Sequence, residues 1–179
     1  MRQVLVISTM FLLASCNAPK PTHTPTAATE SPAALKVPSN LMYADIDPFV
    51  QVEDLTKNEL ILLFSKMHHA DQQYRDSLYN GRKENEAFFS KKMQANDEAN
   101  LKILDNIIQK HGWPYKSVLG EEAAQTAWLV IWHHRGKRSV LCRHFDVMEK
   151  AVDEGEMSVS AFQQIKDEVE KLSPDQIEY

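Results

Sequence analysis

Apolar residues recur every three or four positions over most of the chain beyond residue 50, and strand-type alternation is nearly absent. This period is typical of α-helices that bury one face. Short connections that carry glycine favour antiparallel neighbours. The sequence therefore predicts an all-α fold, a compact bundle of about five antiparallel helices. The predicted helices run from about Thr56 to Tyr79, Glu84 to His111, Gly120 to just before Gly136, Lys137 to Glu154, and Ser158 or Ser160 to just before Pro174.

The third predicted helix differs from the others because it is apolar on nearly all sides. A helix of this kind is usually the buried centre of its domain. It ends in His133-His134-Arg135, which places imidazoles where the apolar core meets a helix C-terminus. The apolar positions are Ala123, Ala124, Ala127, Trp128, Leu129, Val130, Ile131 and Trp132.

The first residues follow another pattern. One positive charge at Arg2 precedes a run of mostly apolar residues from Val4 to Ala14, which ends in Leu13-Ala14-Ser15-Cys16. The run is too short to cross a bilayer, since a spanning helix needs roughly 20 apolar residues, and its layout is that of a secretory signal. Its end resembles the lipobox of bacterial lipoproteins, which implies removal of residues 1–15 and lipidation of Cys16.

Residues 16–50 are rich in Pro, Thr, Ala and Ser and contain few large apolar side chains. Such a segment cannot bury enough surface to offset the entropy of ordering it. We therefore predict a disordered N-terminal linker that carries the lipidated Cys16, followed by a helical domain over residues 51–179. The lipid would anchor the chain to the inner or outer membrane of a bacterial cell envelope, with the domain in the periplasm or outside.

Composition narrows the range of partners and cofactors. The net charge is −5 and both signs are mixed along the chain, which gives no basic stripe for nucleic acid. Lipidation of Cys16 would leave Cys142 without a disulfide partner, and its apolar neighbours predict a small core residue. No phosphate loop, nucleophile elbow or metal-ligand signature occurs, so neither a metal nor a cofactor is predicted.

Several polar residues interrupt the apolar stripes. Asp71 lies within the stripe of the first helix, and Arg75 follows one turn later, where the two side chains can pair. They form either a structural ion pair or a ligand-facing pair at the open end of the bundle. Asp97 and Asn100 on the second helix either satisfy each other or line a cavity. His133 is either a core histidine that caps carbonyl groups or a proton-transfer or metal-binding group.

These residues belong to motifs that resemble a bacterial family, domain of unknown function 6624, over about 110 residues from Lys66 onward. The family has no established activity, so the resemblance implies a helical fold and a candidate pocket only. That pocket would contain Asp71, Arg75, Asp97, Asn100 and His133. The motifs are Asp71-Gln72 with Arg75, Gly112-Trp113-Pro114, Ala127-Trp128-Leu129 with His133, and Ala151-Val152 with Gly155-Glu156.

Other positions depart from the family pattern. Arg135 stands where the family has an acidic residue, Leu141 replaces a glutamine, and Glu168 replaces an arginine. These departures favour binding over catalysis. The leading hypothesis is a membrane-tethered envelope lipoprotein whose helical domain binds a protein or small-molecule partner. The alternatives are an enzyme of hydrolase or proton-transfer type, with His133 as general base, and a structural spacer. An enzyme requires the polar groups to meet in one open cleft.

Overall fold

The computed structural model describes residues 45–80 and 85–172. The predicted signal peptide, Cys16 and most of the predicted linker lie outside these residues. Within them the predicted all-α class is confirmed, since the regular structure is entirely helical. The helices are α1 (Lys57–Asn80), α2 (Glu86–His111), α3 (Lys116–Leu119), α4 (Glu121–His133), α5 (Arg138–Arg143), α6 (Phe145–Asp153) and α7 (Val159–Lys171).

A capping box begins α1 at Thr56, where the sequence predicts the start of a helix. The Thr56 backbone N–H donates to Glu59 Oε2 at 2.8 Å, and the Glu59 backbone N–H donates to Thr56 Oγ1 at 3.4 Å. This reciprocal pair satisfies two of the amides that the first turn of a helix leaves without a partner.

Helices α1, α2 and α4 run up, down and up around a common core. Asn96 of α2 donates to the Ala70 carbonyl at 2.9 Å, and Asn100 donates to the Met67 carbonyl at 3.0 Å. Because the residue numbers rise along α2 as they fall along α1, these two helices are antiparallel. At the other side of α1, His133 at the end of α4 lies 3.1 Å from Asp71, so α4 ends beside the second half of α1.

The expected central position of α4 is confirmed for one of its faces. Ala127, Val130 and Ile131 are fully enclosed. Trp128 and Trp132 are only half-buried, and their rings stack with centroids 5.6 Å apart. The outer face of this apolar helix is thus partly covered by its own aromatic side chains.

The predicted fourth helix is wrong as a single element, because it divides into α5 and α6 at His144. This residue has φ −107° and ψ 9°, outside regular helical values. Its buried ring lies 2.7 Å from Asp105 of α2. No glycine or proline lies at the break, so no helix-breaking residue accounts for it. The contact with Asp105 is the feature that coincides with it. The short helix α3 was also not predicted, which brings the total in the described residues to seven.

Cys142 is exposed, so its prediction as a core residue is wrong. Helix α5 directs the preceding residues, Val140 and Leu141, into the core. The next residue of a helix is rotated by about 100°, which carries Cys142 to the surface. Among the described residues, no helix combines the length and the apolar character that crossing a bilayer requires.

Gly112, which ends α2, has φ 79° and ψ −172°, a conformation that is nearly restricted to glycine. We predict that Gly112→Ala lowers the free energy of unfolding by about 1–3 kcal/mol through backbone strain alone, because a Cβ at this position would meet no atom within 4 Å. Urea denaturation monitored by circular dichroism measures this loss.

Gly136→Ala is the matched control. A Cβ there would also meet nothing within 4 Å, but the residue has no positive φ. We expect this substitution to leave stability unchanged or raise it slightly. Equal losses in the two variants would contradict the assignment to backbone strain.

Candidate functional site

The side chain of Arg75 joins three helices. Its Nη2 atom donates to Asp97 Oδ1 of α2 at 2.7 Å and lies 3.5 Å from Asp71 Oδ1 of its own helix. Its Nε atom donates to His133 Nε2 of α4 at 3.1 Å. Four of the five residues named from the sequence therefore meet, and we call Asp71, Arg75, Asp97 and His133 the polar cluster.

The polar cluster is largely withdrawn from water. The side chain of Asp71 retains 1% of its exposure, and those of Arg75, Asp97 and His133 retain 11%, 14% and 16%. A charge in such surroundings requires an opposite charge or hydrogen bonds, because an unpaired buried charge costs several kcal/mol. The two carboxylates and the guanidinium provide this compensation for one another.

One atom, Nε2 of His133, is shared between a donor and an acceptor. It lies 3.1 Å from Arg75 Nε and also 3.1 Å from Asp71 Oδ2. A ring nitrogen without hydrogen accepts from the guanidinium, whereas a protonated one donates to the carboxylate. The position of one proton on the imidazole thus decides whether His133 bonds to Arg75 or to Asp71.

Asp71 has a further neighbour that sequence reasoning assigned no role. Gln72 Nε2 donates to Asp71 Oδ2, the same oxygen that faces His133. The other oxygen, Oδ1, accepts no hydrogen bond among the described residues and has only the ion pair with Arg75. The position of Gln72 beside Asp71 in the Asp-Gln motif was the only sequence signal for this contact.

The surroundings of Asp97 change its pKa. Burial raises the pKa of this carboxyl above its ordinary value of 3.8. The charge of Asp71 adds to this increase in pKa, while Arg75 and His133 oppose it. Desolvation outweighs the attraction of the guanidinium, although Asp97 and Arg75 are in direct contact.

Asn100, the fifth residue named from the sequence, lies outside the polar cluster. It is fully buried, and its amide nitrogen donates to the Met67 carbonyl of α1. Asn96, one turn earlier and not named from the sequence, makes the equivalent bond to Ala70. Both side chains join α1 to α2, and the inward position of a polar residue was the only sequence signal for Asn96.

The other histidines near the end of α4 contact separate carboxylates. His134 Nε2 lies 3.6 Å from Glu98 Oε1, and His144 Nε2 lies 2.7 Å from Asp105 Oδ1. The Nδ1 atom of His134 is 2.9 Å from the Val130 carbonyl, so His134 provides the carbonyl cap that was one reading of His133. Within residues 45–80 and 85–172, no group of three or more His, Cys, Asp or Glu could hold a metal ion.

Three surface clefts lie away from the polar cluster. The first, about 280 Å³, separates the segment that precedes α1 from α1 itself. The second, about 390 Å³, lies between α2 and α5, and the third, about 370 Å³, lies between α4 and α7. None of the four cluster residues lines any of these three clefts. The cluster is a largely buried network of ion pairs and hydrogen bonds that joins α1, α2 and α4.

Comparison with known proteins adds no relative, since no family model, no curated protein and no solved structure matches the chain. The resemblance to domain of unknown function 6624 therefore remains a prediction.

The raised pKa of Asp97 gives a signed pH dependence. Above the pKa that Asp97 has in the unfolded chain, the folded state retains a proton that the unfolded state has released. Stability therefore falls as pH rises towards the pKa of Asp97 in the folded state. We predict that wild type loses stability relative to Asp97→Asn between about pH 4 and the folded pKa of Asp97. Urea unfolding of both proteins across this range measures the difference.

Glu59→Gln is a control of opposite sign. Hydrogen bonds from Thr56 lower the pKa of Glu59 below its ordinary value of 4.5. Wild type should therefore gain stability relative to this variant as pH rises towards the unfolded pKa. Parallel profiles of stability against pH for wild type and Asp97→Asn would contradict the raised pKa that burial gives to Asp97.

Proposed function

We propose that this chain is a membrane-tethered lipoprotein of the bacterial cell envelope, and that its helical domain binds a partner without catalysing a reaction. Support for the tether comes from the sequence around Leu13-Ala14-Ser15-Cys16 and from the polar segment that follows it. Support for binding over catalysis comes from the geometry of the polar cluster.

One observation carries the proposal: the reactive groups of the polar cluster are engaged with one another. A general base must present a free lone pair to a substrate within hydrogen-bond reach. The Nε2 atom of His133 instead lies 3.1 Å from both Arg75 and Asp71, and Arg75 is also bonded to Asp97. In these contacts the charged groups of the polar cluster connect helices to one another. We therefore propose that a partner binds at the surface.

The cleft beside α1 is the binding site that we propose. Its apolar wall and charged edges match the usual lining of ligand sites, which combine apolar surface with a few polar groups. One side is fixed in place, because Asp45 accepts from Tyr74 Oη at 2.9 Å and pairs with Lys92. A volume of about 280 Å³ suits a small molecule or a few side chains of a peptide. The lining residues are Asp45, Ile46, Asp47, Val50, Leu63, Lys66, His69 and Ala70.

One observation favours the alternative, an enzyme of hydrolase or proton-transfer type. The Nδ1 atom of His133 makes no hydrogen bond within the described ranges, and 16% of this side chain is exposed. With a proton on Nε2 donated to Asp71, Nδ1 would be free to act as a base. This alternative needs a substrate cleft beside Nδ1, whereas the three clefts described above are lined by other residues.

Site-specific photo-crosslinking in bacterial cells tests the proposal. A photoreactive amino acid replaces Lys66, which is exposed at the edge of the cleft, and radioactive palmitate labels the lipid. We expect a discrete adduct, identified by its mass as a protein or a small molecule, on a palmitate-labelled chain. Cys16→Ser should lose both the label and the adduct, because the domain no longer remains at the membrane.

The same photoreactive group at Lys150 of α6 is the control, since the exposed fraction of that side chain is 68% and it lies outside the cleft. Adducts of equal yield from both positions, or none from position 66, would contradict binding in the cleft. Palmitate labelling that persists in Cys16→Ser would contradict the lipid anchor.

A further inference from the structure

The end of the α1–α2 hairpin exposes large aromatic side chains. Tyr79 is 85% exposed and Phe88 is 56% exposed. The Phe88 ring contacts Phe89 at 5.5 Å between centroids, and Phe89 lies 6.3 Å from Tyr74 inside the bundle. We call Tyr79, Phe88 and Phe89 the hairpin end, and Phe88 and Phe89 connect the solvent to Tyr74 through ring contacts. Exposed aromatic groups of this kind often mark an interaction surface.

The chain enters the helical domain near the hairpin end. Asp45, the first described residue, bonds to Tyr74 of α1 and pairs with Lys92 of α2. Tyr74 precedes Tyr79 by about 7 Å along α1, and Lys92 follows Phe88 by about 6 Å along α2, at 1.5 Å per residue. A membrane anchor on the segment before Asp45 would therefore be attached to the domain on this side.

The length of the preceding segment permits contact with a membrane. Residues 17–44 separate the proposed lipid on Cys16 from Asp45. A chain of that length would average roughly 30 Å between its ends as a coil. Holding the hairpin end this close to a bilayer raises its effective concentration there, so that even a weak surface contact becomes populated.

The charges near the hairpin end favour contact with an uncharged surface over contact with a strongly charged partner. Residues 76–91 of the sequence contain three acidic and three basic side chains, and the next residue, Lys92, is paired with Asp45. Attraction must then come from the aromatic rings. Tyrosine combines an apolar ring with a polar hydroxyl, which suits the layer between lipid head groups and acyl chains.

We propose that the hairpin end inserts Tyr79 and Phe88 into the interfacial layer of the membrane that carries the lipid anchor. This inference rests on the proposed lipoprotein function and adds a second membrane contact to it. The contact orients the domain, and it places the wall of the α1 cleft that begins at Asp45 beside the membrane.

Quenching by brominated lipids tests the contact in the full lipidated chain. Tyr79→Trp and Phe49→Trp are reconstituted in phosphatidylcholine vesicles whose acyl chains are brominated near the head group, and the fluorescence of the three native tryptophans is subtracted. We expect the added fluorescence of Tyr79→Trp to fall about twofold or more, since interfacial groups lie within reach of bromine at that depth.

Phe49→Trp is the matched control and should not be quenched. Phe49 is 69% exposed and lies under Lys102, and Lys102 is about 15 Å further along α2 than Lys92. Equal quenching of the two variants, or none in either, would overturn the inference. A blue shift of Tyr79→Trp without quenching would also overturn it, because a protein would then cover the hairpin end.

The lipid on Cys16 is measured in the same samples by mass spectrometry. A chain that carries the lipid and binds vesicles, but whose Tyr79→Trp variant is not quenched, overturns the hairpin contact and leaves the lipoprotein proposal intact. A chain without lipid that stays free of vesicles overturns both proposals.

Discussion

The contact on which this bundle depends is the one between the Arg75 guanidinium and its partners on three helices. Asp71 is almost fully buried, and Arg75 pairs with it while also bonding to Asp97 of α2 and His133 of α4. Replacing one partner of such a group strongly destabilises a protein, because a charge is left buried without compensation. The network joins α1, α2 and α4 at the point where they meet.

The bonds within this network are also the reason why we propose that partners bind at the surface. The side chains of the polar cluster bond to one another, and Asn96 and Asn100 donate to carbonyls of α1. The peripheral groups Glu98 and Asp105 connect α2 to the residues that follow α4 in a similar way. The cleft beside α1 and the hairpin end, where we propose contacts with partners, both lie near the point where the chain enters the domain.

The sequence predicted the elements better than their breaks and contacts. Apolar period and capping residues located α1, α2, α4 and α7, because those signals are local. The break at His144 has no local breaker and coincides with a contact to Asp105, which lies 39 positions away. Likewise, polar residues on apolar stripes indicated the members of the polar cluster. Only the packed structure shows that Asn100 bonds to a backbone carbonyl and does not belong to the polar cluster.

A double-mutant cycle between Arg75 and His133 measures how far this network joins α1 to α4, since it isolates the direct contact between these two side chains. Unfolding free energies are measured for wild type, Arg75→Met, His133→Gln and the double variant. The account predicts a coupling energy of about 1–3 kcal/mol between the two sites. Effects that add to within about 0.5 kcal/mol would contradict it, because the two side chains would then stabilise the bundle independently.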